Sequence, residues 1–172
     1  MRQLRATCAG FAGKAVMEYG TGAGLLGQVL RKEGVRRYIG VDISQRQLDA
    51  ASRRLPKSYF TPLRANALHD ARLHFTDVDV FICQAVMQHF ESDAYRDRFL
   101  RVLNESSIPF IMLQPRATGC KDNNLSSLTR SDITLANCIS ASQLATHLPK
   151  YMKVYESKLY ANGYVYCIFR KR

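Results

Sequence analysis

Apolar positions fall along the chain in two kinds of run. Residues 14–17 (KAVM), 38–41 (YIGV), 79–84 (DVFICQ) and 108–113 (IPFIML) are short and almost continuously apolar. That is the pattern of strands covered on both faces in a parallel sheet. Between them, apolar residues recur at helical spacing: Leu25, Leu26, Val29 and Leu30; then Leu48, Ala51 and Leu55; then Tyr95, Phe99, Val102 and Leu103. A strand over 58–65 carries Pro62, which suits only an edge position. Stop and start signals agree with these elements. Gly34 ends the first helix, Pro56 stops the second, and Ser44 caps helix 45–54 with Gln47 at the third position of a capping box. Ser92 caps the third helix with Asp93 behind it, and Ser140 or Ser142 starts a helix to about residue 148. Residues 151–161 and 164–170 alternate and meet around Asn162-Gly163, a strong hairpin signal. Alternating strands and helices predict a single α/β domain spanning 1–172 that ends in antiparallel strands. Residues 1–13 read as a short arm or helix, with Leu4, Cys8 and Phe11 on one side.

The chemistry concentrates between Val16 and Ser44, VMEYGTGAGLLGQVLRKEGVRRYIGVDIS. Strand, glycine turn, helix, strand and acid form the first half of a nucleotide-binding βαβ unit. Gly20, Gly22 and Gly24 let backbone lie against a ligand. Asp42, at the end of the second strand, is placed to accept hydrogen bonds from ribose hydroxyls. Two cofactor readings compete. Gly22-x-Gly24-x-x-Gly27 is formally the dinucleotide motif GxGxxG, which fits an NAD(P)-dependent oxidoreductase. Glu18, two residues before Gly20, would repel a pyrophosphate but suits a ligand with an ammonium group, such as S-adenosyl-L-methionine.

On these residues the stretch resembles the first two motifs of the class I S-adenosylmethionine-dependent methyltransferases, with Glu18-Tyr19-Gly20-Thr21-Gly22-Ala23-Gly24 as the first motif. The resemblance extends over roughly residues 14–171. It implies a Rossmann-like αβα sandwich with a seven-stranded mixed sheet in the order 3-2-1-4-5-7-6, strand 7 antiparallel. It implies that Gly20, Thr21, Gly22 and Gly24 pack on the methionine part of the cofactor, that Glu18 supports its ammonium, and that Asp42 holds the ribose. Ile43 would contact the adenine face and Asn66-Ala67 its edge, Asn66 standing where the family often has Asp. Asn66 reads equally as the cap of a short helix over 67–73. Gln84 and Ala85 would line the sulfonium region, and S-adenosyl-L-homocysteine would be the product. Val86-Met87-Gln88-His89-Phe90 resembles a stretch of many small-molecule methyltransferases that often ends in His. Gln88 and His89 are thus the candidate catalytic residues, His89 as general base or as a residue that packs at a helix start. The Asn/Asp-Pro-Pro-aromatic signature of exocyclic-amine methylation is absent.

Residues 115–139, rich in Ser, Thr, Asn and Gly, read as a substrate-covering loop. Gln114, Arg116 and Arg130 are its candidate substrate residues, the arginines for an anionic group. Little chain precedes the first strand, so the site is expected to be open, or closed by another segment, a homodimer or a partner subunit. A non-catalytic, cofactor-binding subunit is a reading of the same features.

Composition narrows this little. The apolar fraction of 47% is ordinary, and no run of about 18 apolar residues or signal peptide is recognisable. Five scattered cysteines without CxxC spacing read as reduced thiols, with a cytoplasmic location and no metal site. A net charge of +11, from 25 Lys and Arg against 14 Asp and Glu, suits an anionic small molecule or RNA, or simply solvated helix faces. No aromatic-interleaved basic stripe accompanies it.

Overall fold

Seven strands form one sheet in the computed structural model, in the order β3-β2-β1-β4-β5-β7-β6. Residues 10–65, 75–117, 138–158 and 163–172 are described. In chain order the elements are β1 (Ala15–Tyr19), α1 (Leu25–Lys32), β2 (Arg37–Asp42), α2 (Gln45–Arg54), β3 (Phe60–Arg64) and β4 (Val80–Gln84). A 3₁₀ turn (Met87–His89), α3 (Asp93–Glu105), β5 (Phe110–Gln114), α4 (Ala141–His147), β6 (Tyr151–Glu156) and β7 (Cys167–Lys171) follow. β1, β2 and β3 pair in parallel, whereas β7 runs antiparallel to both β5 and β6. The order and the antiparallel strand are those implied by the family resemblance.

The described residues divide into two compact units, 10–82 with 107–109, and 83–106 with 110–172. In the first, every residue of β1 is buried, as its continuous apolar pattern requires. Asp79 anchors its start, accepting the Ala15 N–H at 2.8 Å. Leu26, Gly27 and Leu30 form the inner face of α1. Leu25, expected on that face, is instead 65% exposed, because the first helical residue emerges from the glycine turn on the outer side. Ser44 caps α2, accepting from Gln47 N, but its own N–H goes to Asp42, so the reciprocal half of the expected capping box is not made. β3 is the outer strand on this side, consistent with Pro62.

Gly27 is needed for packing. A Cβ there would stand 2.5 Å from Tyr38 Cε1 and 2.8 Å from Leu55 Cδ1. The gap admits the Tyr38 ring, which stacks on Tyr59 and Phe60 at centroid separations of 6.0 and 5.5 Å. Gly27→Ala should therefore lower stability although it raises helix propensity by about 1 kcal/mol. Overpacking of about 1–3 kcal/mol outweighs that gain. We expect a Tm lower by roughly 2–6 °C, and a Tm unchanged or raised in thermal unfolding would mean that the ring moves aside freely.

In the second unit, Phe99, Leu100 and Leu103 form the buried face of α3, with Tyr95 and Val102 at its margins. Ser140, not Ser142, caps α4, in a complete capping box with Gln143. Among the described residues β6 and β7 pair up to Glu156 opposite Cys167, and the turn expected around Asn162-Gly163 falls largely outside them. Ser157 extends the pairing, its N–H donating to Tyr166 O and its hydroxyl accepting from Tyr166 N. Asn162 lies outside the described residues, and Gly163 has φ 83°.

The expectation of uniformly reduced thiols is not met, because Cys138 is disulfide-bonded. Spacing along a chain does not reveal which thiols a fold brings within bonding distance. Cys83 and Cys167 are buried thiols outside any disulfide, and burial pushes the Cys167 thiol up to about 12, so it packs as a small apolar side chain. Cys8 and Cys120 lie outside the described residues, as do most of the arm 1–13 and of the loop 115–139, and the whole of helix 67–73.

Candidate functional site

In the first unit the chain leaves β1 at Tyr19 and turns back through Gly20, Thr21, Gly22, Ala23 and Gly24 into α1. Gly22 (φ 52°) and Gly24 (φ 75°) adopt left-handed backbone that a Cβ would strain. At Gly22 a Cβ would meet nothing within 4 Å, so this stretch of backbone faces open space. The turn is tied to the end of β2. Gly20 N and Thr21 N donate to Val41 O at 2.8 and 3.0 Å. Asp42 completes the tie, one carboxylate oxygen accepting from Gly22 N at 2.8 Å and the other from Ser44 N at 2.9 Å. Beside it Ile43 is 64% exposed, so two large apolar side chains, Leu25 and Ile43, flank the turn uncovered by protein.

Beneath the turn lies a buried polar chain. Glu18 is 5% exposed, and among the described residues no Lys, Arg or His forms an ion pair with it. The Tyr38 hydroxyl donates to the Glu18 carboxylate. Having only one proton, that hydroxyl must then accept from the Thr21 hydroxyl with which it is also paired. Burial, and secondarily the charge of Asp42, push the Glu18 carboxyl up to about 7, against the lowering effect of the Tyr38 and Thr21 hydrogen bonds. The same burial and the neighbouring carboxylate hold the Tyr38 phenol well above its ordinary value, so it is a proton donor at every physiological pH. Nothing in the apolar pattern marks Tyr38, which reads simply as a member of a buried strand.

In the second unit Gln84 ends β4, and Ala85 follows with φ 50°, a left-handed conformation uncommon outside glycine. Its N–H donates to Gln114 O at 3.3 Å. Gln88 is 2% exposed, and its amide nitrogen donates to Ala85 O at 2.6 Å, which fixes the amide orientation. The same nitrogen lies 3.1 Å from His89 Nε2, so that ring nitrogen accepts and the proton of the neutral imidazole sits on Nδ1. Among the described residues, Gln84 Nε2 and Gln88 Oε1 are buried and have no hydrogen-bond partner. Buried amides are rarely left so.

The remaining expected site residues fare differently. Arg116 bridges to Tyr164 and lies over its ring, 5.7 Å from the centroid, so its guanidinium already has an aromatic partner. Gln114 is half-buried at the end of β5. Asn66, Ala67 and Arg130 lie outside the described residues.

A family profile described as a methyltransferase domain matches residues 16–106, more than half of the chain. The chain belongs to that family. It has the fold of the class I, S-adenosyl-L-methionine-dependent methyltransferases. Its backbone superposes on an S-adenosylmethionine-dependent methyltransferase from Mesorhizobium loti with a TM-score of 0.72, at 13% identity, over 99% of this chain and 96% of that one. Magnesium protoporphyrin IX methyltransferase from Synechocystis, solved with bound S-adenosylhomocysteine, gives 0.70 at 16% identity, over 98% and 80% of the two chains. A complex of a methyltransferase with a methyltransferase activator from Haloferax volcanii gives 0.71 at 13%, over 99% and 88%. A comparison with curated proteins gives no match. Among the described residues no helix is long and apolar enough to cross a membrane.

Proposed function

We propose that this methyltransferase moves the methyl group of S-adenosyl-L-methionine to a small-molecule acceptor by direct in-line displacement. The observation that carries the cofactor assignment is Glu18, a buried carboxylate with no cationic partner among the described residues, set under a glycine turn. A fixed ammonium supplied by the cofactor would satisfy it, whereas a pyrophosphate would not. The backbone of Gly20, Thr21, Gly22 and Gly24 would carry the methionine part, and Asp42 retains lone pairs for ribose hydroxyls. Ile43 offers an uncovered apolar face for adenine, whose edge falls to Asn66 and Ala67.

When bound, the sulfonium supplies an electrophilic methyl group. The residues of this chain then have to orient an acceptor and keep water away. We assign that work to Gln84, Ala85, Gln88 and His89. The unmet amide atoms of Gln84 and Gln88 suit an acceptor that both accepts and donates hydrogen bonds. With His89 Nε2 engaged by Gln88, Nδ1 is not the atom to remove an acceptor proton. His89 is therefore assigned as a positioning residue. Gln114, Arg116 and Arg130 complete the acceptor side, for which an anionic group is the chemistry proposed.

RNA is the second reading of the acceptor, favoured by one observation. Arg31, Lys32, Arg36 and Arg53 are exposed and, among the described residues, form no ion pair. Steeply salt-dependent RNA binding would favour it. The first test is calorimetric titration with S-adenosyl-L-homocysteine, with NADH as control. We expect micromolar binding of the former alone. Binding of NADH alone would return the chain to the oxidoreductase reading. Cofactor binding without transfer to any acceptor in a labelled-methyl screen would favour a non-catalytic or partner-dependent subunit.

A further inference from the structure

We infer that the Tyr38 hydroxyl is a positioning group, which holds Glu18 as an oriented carboxylate for the cofactor's ammonium. The inference rests on the cofactor reading above and adds to it a residue from outside the glycine motif. Four groups face Glu18 or the phenol that holds it. Tyr38 reaches it from β2, Thr21 from the turn, and Asp42 from the end of β2, while Tyr59 stacks behind Tyr38. Of these Tyr38 makes the stronger hydrogen bond to the carboxylate, and Thr21, paired with the Tyr38 hydroxyl, adds a weaker one.

That direction of donation has a chemical consequence. A carboxylate accepts from a phenol, whereas a neutral carboxylic acid competes with it as a donor, so the chain favours the charged form. Burial and Asp42 favour the neutral form, and leave the carboxyl balanced at about 7. Only the charged form can pair with an ammonium, so the phenol sets the pH above which the cofactor is held. The packing supports this role. Tyr59, Phe60 and the gap at Gly27 clamp the ring, so the hydroxyl is delivered to one place at little cost in rotamer freedom.

Tyr38→Phe keeps the ring and removes the hydroxyl. S-adenosyl-L-homocysteine affinity should be measured by calorimetry from pH 6 to pH 9 for both proteins, and compared as a ratio at each pH, which cancels the ligand's own ionisation. If the carboxyl rises by about one pH unit, the variant binds about tenfold more weakly at pH 6 and about fivefold at pH 7, but within about twofold at pH 9. A carboxyl ¹³C titration of the free proteins should show the Glu18 midpoint displaced upward in the variant. Thr21→Val, which removes the weaker of the two hydrogen bonds to Glu18, should displace both readouts less and in the same direction. A ratio constant across pH, with an unmoved midpoint, overturns the inference alone and leaves Tyr38 as core packing. Absence of wild-type binding at every pH overturns the cofactor reading and this inference with it.

Discussion

Glu18→Gln should weaken S-adenosyl-L-homocysteine binding by roughly 30- to 150-fold at pH 8 and at the same time make the protein harder to unfold. The binding loss is that of a buried, charge-assisted hydrogen bond to an ammonium, about 2–3 kcal/mol. The gain in stability follows from the raised carboxyl. In the unfolded chain Glu18 titrates near its ordinary value of 4.5, and in the folded protein at about 7. The folded state therefore holds the proton more tightly, and wild-type stability falls as pH rises from about 4.5 to about 7 and stays low above it. The deficit at pH 8 is of order 3 kcal/mol. Gln does not ionise, and its carbonyl can still accept from Tyr38. Its amide nitrogen needs an acceptor, which Thr21 Oγ1 can supply, so part of the gain is retained. Thermal unfolding should give a variant Tm higher by roughly 5–10 °C at pH 8 and nearly equal to wild type at pH 4.5. The same Tm gap at both pH values would mean that Glu18 is not a buried acid of raised pKa. Opposite effects on binding and stability are what a group kept for its ligand should show.

How much of this was legible in the sequence depends on what each signal reports. The three glycines are legible because a turn in left-handed backbone calls for them, and Glu18 and Asp42 because they are acids set beside that turn at the ends of β1 and β2. Family and sheet order follow from them and from the antiparallel strand at the C-terminus. Caps at Ser44, Ser92 and Ser140 are local, and local chemistry is written in adjacent residues. What failed was non-local. Leu25 fits the helical period but lies at the point where the chain leaves the turn. Tyr38 sits in an apolar run, and nothing in that run tells where the tip of a phenol ends. Its partner Glu18 is twenty positions away on another strand, although Gly27, eleven positions before Tyr38, is the vacancy that makes room for it. Nor does Arg116 reveal that the ring of Tyr164, forty-eight positions on, lies against its guanidinium. Cys138 shows the same limit for thiols.

Asp42→Ala should weaken S-adenosyl-L-homocysteine binding by at least tenfold, through two losses that can be separated. One is the ribose contact proposed for its lone pairs. The other is structural, because both carboxylate oxygens already accept backbone N–H groups, from Gly22 in the glycine turn and from Ser44 at the start of α2. Alanine leaves both donors to water and frees the turn on which the methionine part would lie. Each such bond to a charged acceptor contributes about 1.5–3 kcal/mol when fully desolvated, and less here, where Asp42 is half-buried. A stability loss of about 2 kcal/mol in urea unfolding is the expected outcome. Asp42→Asn is not a neutral control, since its amide nitrogen would confront one of the two N–H donors. The ribose contact is better isolated from the ligand side, with an S-adenosyl-L-homocysteine analogue lacking both ribose hydroxyls. Wild type should prefer the hydroxylated ligand by roughly tenfold or more, and Asp42→Ala should lose that preference, a coupling read from the four affinities. Parallel weakening of both ligands, with the preference intact, would remove Asp42 from the ribose and leave it as the residue that holds the turn.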